Sequence, residues 1–292
     1  SNPELSDIIA NINTASTKAE LDSILEATLP TVDGGAVSGA LRISENTLVI
    51  AQTQLESLRD GDATSGVAAG EIAHGLRAWG QIYGQYSDQD HREDIAGYNA
   101  RTLGVVLGID TQNASDDTVL GIAISYGHTD ADSENTNRSQ IEVDGYQVTL
   151  YGDHRLNDDT YISGLAAYVY GDNERTRYDV GGIAGLNANA NYASHQLIAE
   201  VKAGHDYKLG RTTLTPHVLG HYTYYSAEDY TETGAGGANL NVENEDQQIL
   251  ELGVGLTAGW EHQTDSGGVL NPELRAGYRY DVIGDAVVAT SR

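Results

Sequence analysis

The sequence predicts an all-β fold: a transmembrane antiparallel up-and-down β-barrel preceded by an α-helix. Three observations predict it. From Leu76 onward, apolar and small polar residues alternate with a period of two. On the six clearest strands the apolar parity carries no Asp, Glu, Lys or Arg. The connections between strands alternate short and long. Such a barrel needs no long apolar run, and the sequence lacks the roughly 18 consecutive apolar residues of a membrane-spanning helix.

Composition narrows the function classes. The 292 residues hold 43 Asp+Glu against 16 Lys+Arg, a formal net charge of −27. Phosphate recognition wants a basic patch, so no nucleic-acid partner is expected. The absence of Cys removes disulfides, Cys-ligated zinc, iron–sulfur clusters and Cys nucleophiles. The chain begins at Ser1 without Met, as expected of a processed chain whose signal peptide has gone.

Residues 1–37 carry short helical patterns. Thr17 and Glu20 have capping-box spacing, and Leu21, Ile24, Leu25 and Leu29 then share one helical face before Pro30. A longer helix is expected from about Ala40 to Arg59. Leu41, Leu48 and Leu55 recur every seven residues, with Ala51 and Leu58 completing a narrow stripe. Arg42, Glu45, Gln52, Gln54, Glu56 and Arg59 make the remainder polar. Twenty residues span about 30 Å, close to a bilayer's hydrocarbon thickness. On its residues alone this reads as a surface helix packed on a domain. Asp60 to Gly70 reads as a flexible link.

Nine strands follow. Leu250 to Trp260 is the cleanest: Leu250, Leu252, Val254, Leu256, Ala258 and Trp260 share one parity. The same alternation runs over 103–110, 120–127, 146–153, 197–204 and 270–281, and less sharply over 77–87, 160–171 and 213–225. The polar faces hold Gly, Ala, Ser, Thr and Gln, which suits a confined wet lumen better than a soluble sandwich facing bulk water. Aromatic residues gather toward strand ends (Tyr126, Tyr146, Tyr222, Tyr224, Trp260, Tyr278, Tyr280), as in interfacial girdles. A charge at mid-bilayer costs about 2–4 kcal/mol, so lipid exposure accounts for the charge-free parity. Short turns are expected at 111–117, 155–159, 208–211 and 263–268. Long, polar, coreless and mobile loops are expected at 87–97, 127–140, 171–192 and 226–246.

Catalytic and metal motifs are thin. No G-x-S-x-G elbow is present. His217 and His221 share a parity but stand about 13 Å apart along a strand, so they line a lumen rather than chelate an ion. Asp130, Asp132 and Glu134 begin like a calcium loop. Asn135 and Ile141 occupy the places of its required Gly and Glu, leaving weak calcium binding as a minor reading. Gly253 and Gly255 lie within a strand and are expected to make room for the long helix.

The polar-faced helix, the link and the Trp-led amphipathic strands together resemble the translocator (β) domain of classical monomeric autotransporters, the type V secretion family. The resemblance rests on LESLRDG (55–61), WGQIYGQY (79–86), AGYNARTLGVVLGID (96–110), VDGYQVTLYGDHRL (143–156), LTPHVLGHYTYY (214–225), DYTETGAGG (229–237) and LNPELRAGYRYD (270–281). Together these cover about residues 38–285. The resemblance implies a twelve-stranded barrel with the N-terminal helix threaded through its lumen. It implies a monomer in the bacterial outer membrane that exports its own N-terminal passenger and anchors it at the cell surface. The implied partners are outer-membrane lipid, the barrel-assembly machinery and the passenger, with no enzyme activity and no cofactor. Only nine strands are legible, and Arg292 falls where the fifth outer loop would lie, so the last three strands are expected to be absent. Members that cut their pore helix do so at paired Asn; here Asn46 precedes Thr47, so self-cleavage is not implied.

The expected organisation is a passenger end or helical linker (1–37), a pore-spanning helix (38–62), a flexible link (63–75) and a barrel (76–292). Leu41, Arg42, Glu45, Leu48, Gln52, Leu55, Glu56 and Arg59 are the expected pore-helix residues. Glu200, Lys202, Glu251, Glu261, Glu273, Arg275 and Arg279 are the expected lumen-lining groups, gripping the helix through Arg42, Glu45, Glu56 and Arg59. Two other readings compete: a porin-like or adhesin-like outer-membrane barrel without self-secretion, and a soluble acidic β-protein.

Overall fold

A computed structural model describes residues 3–28, 35–60, 68–73, 75–89, 97–111, 117–133, 139–260, 262–263, 269–270, 272–283 and 289–291. Three helices lead: α1 (Pro3–Thr14), α2 (Lys18–Glu26) and α3 (Gly35–Asp60). The Thr17 side chain accepts from the Glu20 backbone N–H at 3.2 Å. The Glu20 carboxylate accepts in return from the Thr17 N–H at 3.2 Å, closing the capping box that starts α2. No described helix is long and apolar enough to cross a membrane.

Ten strands then run in consecutive order through one antiparallel sheet: β1 (Ala68–Ala73), β2 (Leu76–Gln89), β3 (Tyr98–Thr111), β4 (Thr118–Ser133), β5 (Ser139–Asn157), β6 (Thr160–Arg177), β7 (Ala188–His205), β8 (Thr212–Ala227), β9 (Gln247–Trp260) and β10 (Glu273–Asp281); a short eleventh, Tyr207–Leu209, pairs with β8 off this path. The nine long strands β2–β10 are those read from the period of two. β1 is an addition: it lies in the stretch read as a link and pairs with β2. Among the described residues β1 and β10 are the two ends of the sheet.

The apolar parity faces outward. Ile82 is 74% exposed and Leu103 68%, and Leu107, Leu120, Ile124, Leu150, Leu197, Val218, Val254 and Leu274 are likewise exposed. A soluble protein would turn these side chains into a common core, so the soluble reading is set aside. Tyr126, Tyr146 and Tyr170 stand side by side on this outward face, with ring centroids 5.3 and 6.4 Å apart, and His195 extends the row onto β7. The inward parity is mostly polar and closely packed: Val106, Ser125, Gln147, Thr149, Gln196 and Thr223 are buried.

The turn end of the sheet is tight, with two residues between β5 and β6. The loop end corrects the sequence reading. Most of 127–140 and 171–192 is strand, because β4 to β7 continue their ladders well past the aromatic row. Backbone pairing needs no apolar face, so the apolar alternation stops where the ladder does not. Nor is this end without a core. Val180, Ala188 and Ala235 are buried together, and Arg177 and Glu232 form a buried ion pair at 2.6 Å.

Candidate functional site

The sheet curls around α3. Residues from β2 to β7, and from β10 at the far end of the sheet, all reach this helix. Its N-terminal part lies at the loop end. Arg42 donates to the Ser87 hydroxyl at 2.5 Å and to the Tyr98 hydroxyl at 3.1 Å, and Asn46 donates to Gln85 at 2.8 Å. Ile43 is fully buried against Gly127 and Gly145. A Cβ at either glycine would come within about 3 Å of it. Ala40 and Ile43 join Ile141, Val143, Tyr192 and Tyr225 in an apolar cluster, with Tyr192 stacked on Tyr230 at 4.6 Å.

At mid-height the contacts are neutral. The Ser44 hydroxyl donates to Gln196 at 3.1 Å, and the Thr47 and Ser125 hydroxyls meet at 2.9 Å. Toward the turn end the contacts become ionic. Gln52 donates to Glu200, and Gln54 donates to Asp110 at 2.9 Å. Glu56 meets Lys202 at 2.7 Å and Arg275 at 2.8 Å. Arg59 meets Asp153 at 3.2 Å and lies over the Tyr161 ring, 3.5 Å from its centroid. Asp110 is also braced by Arg77 at 3.4 Å and the Tyr151 hydroxyl at 3.3 Å, and Tyr151 accepts from Trp79 at 2.8 Å.

The expected helix residues lie as follows. Leu48 and Leu55 are buried; Leu41 is half-buried, and Glu45 is exposed. The buried side of α3 is broader than the leucine stripe. It includes Ser44, Thr47 and Gln54, because the facing wall supplies hydrogen-bond partners. Among the described residues, Arg42 is held by neutral hydroxyls, those of Ser87 and Tyr98. Of the expected lumen groups, Glu200, Lys202 and Arg275 touch the helix. Glu251 pairs instead with Arg279 at 3.4 Å, and Glu273 pairs with Arg275 at 2.7 Å. Glu261 lies outside the described residues. Asp110, Asp153, Ser125 and Gln196 were missed, since a small polar residue on the inward parity has no further mark in the sequence. Gly253 and Gly255 make room for strand neighbours (Leu219, Arg279 and His217), not for α3.

Beside α3, on the side of β7 to β10, a polar cavity of about 570 Å³ opens at the turn end. Glu56, Arg59, Arg155, Asp206, Lys208 and Arg275 are among its lining. At this end the Lys208 ammonium donates to the Asp159 carboxylate at 2.9 Å, and this hydrogen bond holds the carboxyl below and the ammonium above its ordinary pKa. In the loop before β9, hydrogen bonds from Ser226 and Tyr224 hold the Asp246 carboxyl low. Asp130 and Asp132 of the calcium-like stretch lie in β4, and Glu134 lies outside the described residues. Asp130 turns to His128 across 3.3 Å, the other His128 nitrogen meets Asp144 at 2.9 Å, and Glu142 stands close by. Both imidazole nitrogens face carboxylates, so the cluster is a hydrogen-bonded acidic patch on the outward face. His221 is buried between Glu200 and Thr223.

The sequence matches the family described as the autotransporter beta-domain over residues 78–292. The chain belongs to that family. This β-domain is 28% identical over 226 residues to outer membrane protein B of Rickettsia prowazekii (strain Madrid E), covering 74% of this chain and 14% of that protein. It is 28% identical over 189 residues to an extracellular serine protease of Serratia marcescens, covering 65% of this chain and 18% of that protein. The chain thus spans less than a fifth of the length of these relatives. Among solved structures it is similar to the translocator domain of autotransporter NalP from Neisseria meningitidis. The TM-score is 0.62 and the identity 17%, with 85% of this chain and 82% of that one covered. The β-domain of the Bordetella autotransporter BrkA gives a TM-score of 0.52 at 15% identity, with 71% and 79% covered. At these identities the likeness is one of fold. Family membership places the chain in the bacterial outer membrane.

Proposed function

We propose that this β-domain exports its own N-terminal passenger across the outer membrane and then anchors it, with α3 remaining in the pore as a plug and tether. In this reading 1–37 is the trailing end of the passenger, 38–62 the pore-spanning helix, 63–75 the link, which includes β1, and 76–292 the wall. The loop end faces the cell surface, because α3 enters there and its C-terminus returns the chain to the turn end, where β2 begins. The observation that carries the reading is the ring of polar contacts around one helix, from Ser87 on β2 to Arg275 on β10. A helix merely resting on a barrel's outer face would have no partners on both halves of the sheet.

The role is transport and attachment rather than catalysis. The family pattern supports assembly by the barrel-assembly machinery. The family pattern is that of a monomer; light scattering in detergent tests that directly. Deleting residues 35–60 is expected to raise single-channel conductance sharply in a planar bilayer. An unchanged conductance would sink the plug.

A further inference from the structure

Two connections at the loop end carry glycines in left-handed conformation. Gly181 (φ 63°) and Gly182 (φ 73°) lie between β6 and β7, and Gly236 (φ 57°) lies between β8 and β9. Each missing side chain leaves room that a helical residue uses. A Cβ on Gly181 would lie 2.6 Å from Ile8, one on Gly182 would lie 3.0 Å from Asn11, and one on Gly236 would lie 2.5 Å from Glu4. Ile8 is buried there although α1 is otherwise largely exposed. Polar contacts fix the same seat. Asn11 donates to the Gly181 carbonyl at 3.0 Å. The Ala27 carbonyl, at the end of α2, accepts from the Gly181 N–H at 3.2 Å and from Arg177 at 3.4 Å.

The seat is braced from below. Arg177 grips Glu232 through two hydrogen bonds, at 2.6 and 2.8 Å, and donates to the Ala238 carbonyl at 3.2 Å. Asn189 and Thr233 exchange backbone hydrogen bonds at 2.8 Å. The two connections are therefore tied to each other as well as to the helices above them.

From this we infer that the β6–β7 and β8–β9 connections are a docking site whose ligand is the α1–α2 segment of the same chain. This docking holds the segment just outside the pore and keeps α3 in register within it. The inference rests on the export reading: it makes the connections the stop that fixes how far the chain travels. A mobile tail would leave the three glycine notches and the buried Ile8 without a purpose in that region.

The test uses the whole chain in lipid nanodiscs and in planar bilayers, with Ile8→Asp as the first variant. Position 8 lies outside the sheet, so the barrel should still fold. Hydrogen exchange over 178–187 and 230–240 should quicken on the order of tenfold or more once the seat is empty. Closures of the channel should become less stable, seen as more frequent open events. Gly236→Val attacks the same seat from the loop side and should give the same pair of changes. Unchanged exchange in both variants would overturn the docking site. Faster exchange with an unchanged open frequency would overturn the stop. Deleting 35–60 serves as the control: if that opens the channel while Ile8→Asp changes nothing, the plug stands and the docking fails. If that deletion opens nothing, the plug reading itself is lost.

Discussion

Gly127 and Gly145 pair across β4 and β5, and together they give Ile43 its place. Valine at either position would press on a side chain packed on all sides. Overpacking of this kind costs about 1–3 kcal/mol. Gly127→Val is expected to lower the temperature at which the folded band disappears in a heat-modifiability gel. Glu56 is the second telling residue. Its carboxylate meets both Lys202 and Arg275, and Arg275 also pairs with Glu273, so Glu56→Gln takes this counter-charge from Lys202 and leaves Arg275 with one anion instead of two. The expected loss is about 1–3 kcal/mol in the hold on the helix, seen as noisier and larger bilayer currents. The charged ends of the helix, Glu56 and Arg59, were legible in the sequence. The hydroxyls and amides that hold Arg42, Ser44 and Thr47 were not, since Ser, Thr and Gln on an inward parity look alike whether or not they touch anything.

The strands were legible in proportion to how asymmetric their surroundings are. Where lipid lies on one side and a wet interior on the other, alternation is enforced and the nine long strands stand out. Beyond the aromatic row both sides are wet, the alternation fades, and the same strands read as loops. Depth should therefore govern substitution. Leu150→Arg, on the outward face of β5, is expected to cost about 2–4 kcal/mol in equilibrium folding into vesicles. Asp132→Arg, past the aromatic row on β4, should cost about 0–1 kcal/mol. Equal costs would mean that the outward face does not meet hydrocarbon. α3 was legible as a helix but not as a buried one. Its polar flanks suit water as well as they suit this interior, and the resemblance to a family was needed to choose between them.

At the scale of the whole molecule, the outward apolar band and the net charge of −27 pull in opposite directions. Charge favours solubility, but a broad band of exposed Leu, Ile and Val does not stay dispersed in water. Removing detergent is expected to give aggregates on size-exclusion chromatography; a monodisperse monomer would contradict the membrane fold. The length of the walls has a consequence of its own. β5 has 19 residues, about 63 Å of ladder, or about 48 Å of height at a tilt near 40°. The apolar band of such barrels is only about 25 Å tall, so a rim roughly 20 Å high rises above the lipid along β4 to β7. On the export reading, a chain leaving this channel emerges from a raised spout, at a height the bilayer alone would not provide.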